Sequence, residues 1–573
     1  MKANFKPLGL AAAVAAATAG YAGVVNAQLV PSDPTVAANG LGDLALVPYY
    51  TTKGDFGTGV HVINTSARTQ VVKLRFRRGS DSLDAMDFNL IMSPYDEWTG
   101  FLSEDASGDI SMSTQDTTCT SPIFADGKFP LADIWRDGAE EGYIEVIGMG
   151  SPALDTVTGK DTSPVSRFAK HASGDKPANC AFVDMNFLDA YLGSLDDPRG
   201  VHSNFATAGP DFDEDGDLTL GVTTYESTDD VLKVSWFIRN SEQGLEFGND
   251  AVHIAGFSAG PMITHQEQGK FSGNLRGFDF PDLNGATTYM DTSTPTWIAH
   301  GGLIPGLTAG WETSAIDYNK YNQLRAGDVL GVSAVLNDWS NNSDLNVGTD
   351  WVITIPGQYT MLNQPKYFPT LGTPGGVIGG AVDENGDPIV CGTDCDFRDL
   401  PVEARFRVWD REENLAIAPP GDRETVISPS VPGAVEPTSL LRYEVNVVSW
   451  GDPIFDTQYS EVDVSGLTDL LAPAVSGWAS LGIKSRTLAG NVSPQAVCTW
   501  VGDYFNNPRN NPQTGDLYDP NDPMTCAAAE GNAPMIGFVA WQRSFPENPD
   551  GNYGRAVSHS FESAPAPIAP PAP

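Results

Sequence analysis

Apolar and charged side chains alternate without interruption over residues 72–77. The apolar members are Val72, Leu74 and Phe76, and the charged members are Lys73, Arg75 and Arg77. A period of two residues is that of an extended strand, because a helix places every third or fourth residue on one face. The segment predicts a β-strand with one buried face and one solvent-exposed face, and such a strand needs partners in a sheet.

Short segments of similar character recur along the chain. They are residues 60–63, 88–92, 98–102, 143–147, 231–238, 252–254, 350–355, 404–408 and 443–447. The 59 Gly and 42 Pro residues among 573 exceed average usage of roughly 7% and 5%, which favours many turns. Residues 535–541 are almost continuously apolar, which predicts a strand buried on both faces.

These patterns predict a mainly β fold of two or three antiparallel sandwich (immunoglobulin-like) domains with a few short helices. One helix is predicted over residues 181–192, where Phe182, Met185 and Leu188 recur at helical spacing directly behind Cys180. The expected units are an N-terminal β domain at 28–150, a central β domain at 151–360 and a C-terminal β domain at 361–560. Residues 193–230 are expected to form a loop-rich insertion, and residues 561–573 form a Pro/Ala-rich tail.

The first 27 residues have the pattern of a secretory signal peptide. Lys2 and Lys6 precede an Ala-rich apolar stretch, and small residues at Val25 and Ala27 suit cleavage before Gln28. The competing interpretation is a membrane anchor, but the stretch is weakly apolar for that role. No later run reaches the roughly 18 apolar residues of a spanning helix. We expect a protein without a transmembrane segment that is secreted to the periplasm, the cell surface or the medium.

The charge balance narrows the range of partners. The chain carries 33 Lys and Arg against 73 Asp and Glu, a formal net charge of −40. Nucleic acid and anionic lipid both require a cationic face, so neither is an expected partner.

Six cysteines fit an oxidising compartment. They are Cys119, Cys180, Cys391, Cys395, Cys498 and Cys526. Pairing in chain order gives the disulfides 119–180, 391–395 and 498–526, although six cysteines allow fifteen connectivities. Cys391 and Cys395 could instead supply half of a zinc site, but zinc requires a second closely spaced pair, and the other four cysteines are scattered.

Several motifs resemble those of a family of exported, β-rich proteobacterial proteins for which no activity is established. The motifs are Gly40-Leu41-Gly42-Asp43, Val47-Pro48-Tyr49-Tyr50-Thr51, Asn64-Thr65-Ser66, Asp87-Phe88-Asn89-Leu90, Ser93-Pro94-Tyr95-Asp96-Glu97-Trp98-Thr99-Gly100, Gly348-Thr349-Asp350-Trp351-Val352, Trp409-Asp410-Arg411-Glu412-Glu413 and Tyr443-Glu444-Val445-Asn446-Val447. The resemblance implies export and a β-rich fold, and it transfers no catalytic residue.

The strongest metal-site pattern is a run of acids at alternate positions. It consists of Asp211, Asp213, Asp215 and Asp217, with Gly216 permitting a sharp turn. Oxygen ligands spaced in this way suit Ca²⁺, which is the expected cofactor. The EF-hand pattern is incomplete because its twelfth position is Val222, and the competing interpretation is a solvated acidic loop. A shorter acidic run at residues 383–388 is better read as a hairpin turn.

Candidates for catalysis are weaker. Ser258 lies in Gly-Phe-Ser-Ala-Gly, the pattern of a serine-hydrolase nucleophile, but Pro261 follows where a helix is required. A glycosidase needs two carboxylates in a cleft, and the spacing of the 73 acids selects no pair. Six tryptophans could stack on sugar rings, although strand positions are more often core; they are Trp98, Trp236, Trp351, Trp409, Trp450 and Trp541.

The leading functional expectation is an exported, acidic, non-enzymatic protein of the cell surface. It would serve as a surface-layer, matrix or appendage component, stabilised by calcium and acting through self-assembly or contact with other surface components. Two alternatives remain open: an exported hydrolase of polysaccharide or ester, and a carbohydrate-binding or adhesive module.

Overall fold

The computed structural model describes residues 34–80, 82, 84–131, 138–171, 176–185, 187, 208–212, 218–257, 263, 283, 329–356, 377–382, 388–390, 402–416, 439–441, 443–486 and 533–563. Within these residues the protein is mainly β, as predicted, with very few helices. All strand pairs are antiparallel, in three large sheets and one two-stranded sheet.

The strands, in chain order, are β1 (Thr35–Val36), β2 (Leu44–Thr51), β3 (Phe56–Asn64), β4 (Gln70–Arg78), β5 (Asp84–Met92), β6 (Glu97–Glu104), β7 (Ile110–Ser113), β8 (Cys119–Ser121), β9 (Lys128–Pro130), β10 (Glu141–Pro152), β11 (Ala208–Phe212), β12 (Leu218–Glu226), β13 (Leu232–Asn240), β14 (Leu245–Asp250), β15 (Val252–Ala255), β16 (Gly331–Asn342), β17 (Val347–Thr354), β18 (Val377–Val382), β19 (Pro388–Val390), β20 (Val402–Asp410), β21 (Ser439–Leu441), β22 (Val445–Ser449), β23 (Ser476–Arg486), β24 (Ala533–Pro534), β25 (Ile536–Arg543), β26 (Tyr553–Ser558) and β27 (Ser560–Ser563). The α-helices are α1 (Pro164–Ala169), α2 (Cys180–Met185) and α3 (Ser465–Asp469), and short 3₁₀ turns lie at Ser343–Leu345 and Pro549–Gly551.

Two sheets form a first sandwich. A nine-stranded sheet has the order β1-β15-β2-β10-β4-β5-β8, with β12 paired to β10 and β11 to β12, and a six-stranded sheet has the order β14-β13-β3-β6-β7-β9. The apolar sides of β4 and β5 pack towards β6, where the Phe88 and Trp98 rings lie 5.7 Å apart. The sandwich therefore draws strands from both the 28–150 and the 151–360 segments, and the domain boundaries stay a prediction.

The ten-stranded sheet builds a second apolar core. Its main order is β21-β20-β23-β16-β17-β25-β26, with β22 on β17 and with β24 and β27 on β16. Trp351 and Ile353 of β17 point into this second core, whereas the intervening Val352 belongs to the first. Residues 536–540 of β25 are likewise buried throughout, so the prediction of a strand buried on both faces is confirmed.

The first sandwich and the ten-stranded sheet are packed against one another. The Trp236 ring on β13 lies 4.7 Å from the Phe538 ring on β25. The Tyr49 ring on β2 lies 5.3 Å from Phe455, in the loop after β22. These aromatic contacts make β17 and β25 a layer shared by both cores, which explains why Trp351–Ile353 and residues 536–540 are apolar on both faces.

The prediction of a solvent-exposed face on β4 is wrong. Lys73, Arg75 and Arg77 are at most 1% exposed. Glu145 of β10 lies 3.2 Å from the Arg77 guanidinium, and Asp87 of β5 lies 3.6 Å from Arg75. Carboxylates from the two neighbouring strands offset the cost of desolvating the cations, and this face is buried as an ionic row.

Residues 193–230, predicted to be loop-rich, contain the antiparallel pair β11 and β12. Residues 193–207 and 213–217 lie outside the described residues, so the prediction for the segment as a whole stays a prediction. The helix predicted over residues 181–192 is seen as far as Met185, in α2 (Cys180–Met185), whereas residues 186 and 188–192 lie outside the described residues. β18 pairs with β19 across residues 383–387, with Val382 opposite Pro388, as the hairpin prediction requires.

Candidate functional site

A pair of stacked tryptophans lies on the outer side of the ten-stranded sheet. Trp409 of β20 and Trp478 of β23 are directly opposite in the antiparallel register. Their ring centroids are 4.0 Å apart, and the ring planes differ by 7°. Trp478 is 41% exposed, which is unusual for so large an apolar side chain.

Strand alternation puts this pair on the outside. On β20, Phe406 and Val408 are buried in the second core, so the intervening Arg407 and Trp409 point the other way. On β23, Ala479 is buried, and its neighbour Trp478 therefore faces outward beside Trp409.

A glycine holds the two strands close at this point. A Cβ on Gly477 would lie 1.9 Å from the carbonyl oxygen of Trp409, so no other residue fits without moving the backbone. The same carbonyl accepts a hydrogen bond of 3.0 Å from the indole Nε1 of Trp339. The close approach of Gly477 and the hydrogen bond from Trp339 therefore both fix the position of the Trp409 carbonyl group.

Polar side chains flank the tryptophan pair on the same face. Asp338 of β16 lies opposite Trp478 in the register, and Ser480 lies opposite Arg407. Directly opposite residues of antiparallel strands share a face. We call the surface formed by Trp409, Trp478, Asp338, Arg407 and Ser480 the aromatic face.

Asp338 is held in place by a further tryptophan. Its Oδ1 accepts a 3.0 Å hydrogen bond from the indole Nε1 of Trp541. Its backbone carbonyl accepts a 2.8 Å hydrogen bond from the indole of Trp351. Asp338 is exposed and lies opposite Trp478 in the register, so its carboxylate can also accept a hydrogen bond from a bound molecule.

The carboxylate that follows Trp409 stabilises a turn. Asp410 Oδ1 accepts hydrogen bonds from the amides of Glu412 and Asn414, and Oδ2 accepts one from the Asn414 side chain. The hydrogen bond from the Asn414 side chain is the main cause that lowers the pKa of Asp410. Glu444, directly before β22, is 1% exposed. These two residues are structural and do not form an acid–base pair in a cleft.

The remaining tryptophans proposed for sugar stacking have other positions. Trp98, Trp236, Trp351 and Trp450 are at most 3% exposed and belong to the cores. Trp541 is partly buried against the second core. Sequence reasoning included Trp409 but missed Trp478, whose signal was the alternation of Trp478, Ser480 and Gly482 with the buried Ala479 and Leu481.

Only one of the four predicted calcium ligands belongs to the described residues. Asp211 is in β11, and Asp213, Asp215 and Asp217 lie outside the described residues, in the segment between the paired strands β11 and β12. In the described part of the chain, no group of three or more His, Cys, Asp or Glu side chains could hold a metal ion.

The predicted nucleophile, Ser258, also lies outside the described residues. The strand expected before it exists as β15. His559, between β26 and β27, is buried, with Nε2 3.0 Å from the Val352 carbonyl oxygen and Nδ1 2.9 Å from the Asn337 amide. Burial lowers the pKa of His559 to about 4, and this neutral ring is a core residue.

One of the predicted disulfides is confirmed. Cys119 of β8 is bonded to Cys180 at the start of α2. The other four predicted disulfide residues, Cys391, Cys395, Cys498 and Cys526, lie outside the described residues.

A polar cluster near this disulfide was not found from the sequence. The Nδ1 atom of His171 is 3.4 Å from the Ser93 hydroxyl and 3.8 Å from the Asp96 carboxylate, and Nε2 is 3.3 Å from the Thr117 hydroxyl. A hydrolytic triad requires the nucleophile and the carboxylate on opposite ring nitrogens. Ser93 and Asp96 both lie beside Nδ1, so they cannot be the nucleophile and the carboxylate of one triad. With Thr117 as the nucleophile at Nε2, Asp96 would have to accept a hydrogen bond from Nδ1, and the 3.8 Å between these two groups is too long for one. The cluster connects the turn after β5 to the segment after α1.

No family model, curated protein or solved structure matches the chain. None of the helices in the described ranges combines the length and the apolar content needed to cross a bilayer.

Proposed function

We propose that this chain is an exported, non-enzymatic binding protein of the cell surface that holds saccharide on the aromatic face. The observation that carries the proposal is the stacked pair of the half-buried Trp409 and the solvent-exposed Trp478. One face of a sugar ring is a patch of C–H groups, and the electron-rich face of an indole attracts the positive ends of such bonds. An exposed ring therefore provides both apolar contact and orientation.

The polar neighbours suit sugar hydroxyls. Asp338 supplies a fixed acceptor, Ser480 a donor or acceptor, and Arg407 several donors. Binding sites commonly combine a mainly apolar lining with a few placed polar groups. The aromatic face is formed by three adjacent strands of a sheet, which favours an extended chain lying across the strands.

Export is the second part of the proposal. The Cys119–Cys180 bond supports it, because structural disulfides persist mainly in oxidising compartments. The signal-like segment at residues 1–27 and the net charge of −40 agree with a surface location. Self-assembly with other surface components is compatible with the same location and would leave the aromatic face as the binding surface.

Calcium binding by the segment between β11 and β12 is a further part of the proposal. Four aspartates at alternate positions repel one another, and a divalent cation relieves this repulsion. The test compares melting in roughly 5 mM CaCl₂ with NaCl of matched ionic strength, for wild type and Asp213→Ala/Asp215→Ala. Chelation predicts a calcium-specific increase of about 2.7 kcal/mol at a hundredfold excess over Kd, absent from the variant. Equal shifts in both proteins would contradict it.

The saccharide proposal is tested by affinity electrophoresis of the full chain through a panel of soluble polysaccharides. Wild type should be retarded by at least one of them. Trp478→Ala should lose most of the retardation, and Trp478→Phe should keep part of it because a ring face remains. Tyr553→Ala is the matched control, since Tyr553 is an aromatic residue of β26 with 52% exposure outside the aromatic face.

Two results would contradict the saccharide proposal. One is migration of wild type that no saccharide in the panel alters. The other is equal retardation of wild type and Trp478→Ala. Release of new reducing ends during the assay would instead support the hydrolase alternative.

A further inference from the structure

Lys73 of β4 is 0% exposed. Lysine is among the residues that are almost never fully buried, and no other lysine in the described part of the chain is buried to this extent. The residues directly opposite it in the register are Asn89 on β5 and Ile147 on β10. The ladder therefore places a side-chain amide on one side of this lysine and an apolar side chain on the other.

The next cation along the same face has different neighbours. Arg75 lies opposite Asp87 on β5 and opposite Glu145 on β10, and its guanidinium is 3.6 Å from the Asp87 carboxylate. The pairing at that position is ionic. Opposite Lys73 the register places instead the neutral side chain of Asn89, which is also 0% exposed. Its Cγ atom is an acyl carbon, and the lysine amine is a nucleophile that can attack it.

A carboxyl group lies at the end of the same row. Ser121 of β8 is opposite Asn89 on the side away from β4. The Cys119–Cys180 bond joins β8 to α2, and Asp184 follows Cys180 by four residues, which is one helical turn. Asp184 is 8% exposed. Burial raises the pKa of Asp184 to about 6, an effect that the side chain of Ser121 partly offsets. The row therefore ends in a buried carboxyl group that takes up and releases protons near neutral pH.

We propose that Lys73 and Asn89 are joined by an amide bond between Nζ and Cγ, which is a covalent link between β4 and β5. The ammonium of Lys73 loses a proton, Nζ attacks Cγ of Asn89, and the bond from Cγ to the amide nitrogen breaks. The nitrogen leaves as ammonia, so –NH₃⁺ and –CONH₂ become –NH–CO– and NH₄⁺. The step needs neither an oxidant nor a reductant.

Asp184 is the positioned proton carrier of this reaction, with the Ser121 side chain between it and Asn89. A carboxyl group with a pKa near the operating pH can accept the proton of the amine and return it to the leaving nitrogen. The link is independent of saccharide binding. Unlike the Cys119–Cys180 bond, an amide bond survives reduction, so the β4–β5 pair would stay joined in any redox environment.

The experiment is intact-mass spectrometry of the reduced full chain. Wild type should be lighter than its sequence mass by about 17 Da, the mass of one ammonia. Lys73→Met should lack this deficit. Asn89→Asp should lose water and give the same product as wild type, with the same mass. Lys233→Met is the matched control and should keep the deficit, because Lys233 is a half-buried strand lysine 2.6 Å from Asp250.

Peptide mapping locates the bond in wild type. After trypsin, peptide 69–75 should be joined to peptide 79–128, with no cleavage after Lys73. Asp184→Asn has a similar shape but cannot carry the proton, so it should keep its full mass while it retains the Cys119–Cys180 bond and the circular dichroism of wild type. A purely structural role of Asp184 predicts the mass deficit in this folded variant.

Three results would overturn these assignments. A wild-type mass equal to that of the sequence, or a separate peptide 69–73, removes the bond, and both are measured on wild type whether or not the variants fold. A deficit that persists in Lys73→Met also removes it, because the ammonia would then come from another reaction, such as cyclisation of an N-terminal Gln. A deficit in folded Asp184→Asn removes the role of Asp184.

Discussion

Asp350, at the boundary of the two cores, has a carboxyl group with a raised pKa. It lies on β17 and is fully buried. Its Oδ2 accepts hydrogen bonds of 2.9 and 3.0 Å from the amides of Ile454 and Phe455, which fix the loop after β22. Burial outweighs these hydrogen bonds and raises the pKa of Asp350 from 3.8 to about 6.

The raised pKa makes folding less favourable as pH rises. The unfolded chain ionises near pH 3.8 and the folded chain near pH 6, so ionisation within this window favours unfolding. At about 1.4 kcal/mol for each pKa unit, the cost is about 3 kcal/mol at pH 7.5 and about 1 kcal/mol at pH 4.5. In Asp350→Asn the amide oxygen still accepts both backbone hydrogen bonds and never ionises. The stability of the variant relative to wild type should therefore increase by about 2 kcal/mol from pH 4.5 to pH 7.5.

The assay is guanidinium unfolding followed by tryptophan fluorescence. Trp351 and Trp450 are buried in the second core, 5.3 Å apart, and Trp351 directly follows Asp350. The emission therefore reports on the region where the carboxylate lies. Taking the difference between variant and wild type at each pH cancels the contribution of the other titrating groups.

A surface aspartate provides the control of opposite sign. The backbone amide of Ser465 lowers the pKa of Asp463, so its stabilising contribution is present at neutral pH and lost as the pH falls. Because this loss takes place below the unfolded pKa of 3.8, the stability of Asp463→Asn relative to wild type should change little between pH 7.5 and pH 4.5 and should rise only below about pH 4. A pH-independent difference between Asp350→Asn and wild type would refute the reasoning about Asp350.

Three further predictions concern stability. Cys119→Ser/Cys180→Ser should lower the free energy of unfolding by about 4 kcal/mol, the chain-entropy value for a loop of 61 residues, measured by urea unfolding. Gly477→Ala should cost more than 1 kcal/mol because the new Cβ meets the Trp409 carbonyl; an unchanged urea midpoint would contradict this. Wild type should lose about 2 kcal/mol of folding stability by pH 5, because His559 has a pKa of about 4 in the folded chain and 6.5 in the unfolded chain. His559→Gln should lack this loss, so its free energy of unfolding should fall less steeply as the pH is lowered to 5.

The strands could be predicted because their signal is local. The period-two segments gave the positions of β4, β5 and β10 and of most strands in the second core. The aromatic face could not be predicted, because its side chains come from β16, β20 and β23, and these strands are separated by 50 residues or more in the sequence. The sequence marks Trp409 as a strand residue, but only the register places Trp478 and Asp338 beside it.

Alternation of apolar and charged residues predicts which side chains of a strand share a face, but it does not predict whether that face is exposed to solvent. On β4 the pattern reports which side chains share a face, and the structure keeps that grouping. Whether the charged face is wet depends on its neighbours, and here Asp87 and Glu145 bring opposite charge from strands that no local window includes. On β20 the same alternation places Arg407 on the exposed outer face of the sheet, with the neutral Ser480 opposite it on β23. The two strands therefore share one sequence pattern but differ in burial and in the charge that the neighbouring strands bring to the cations.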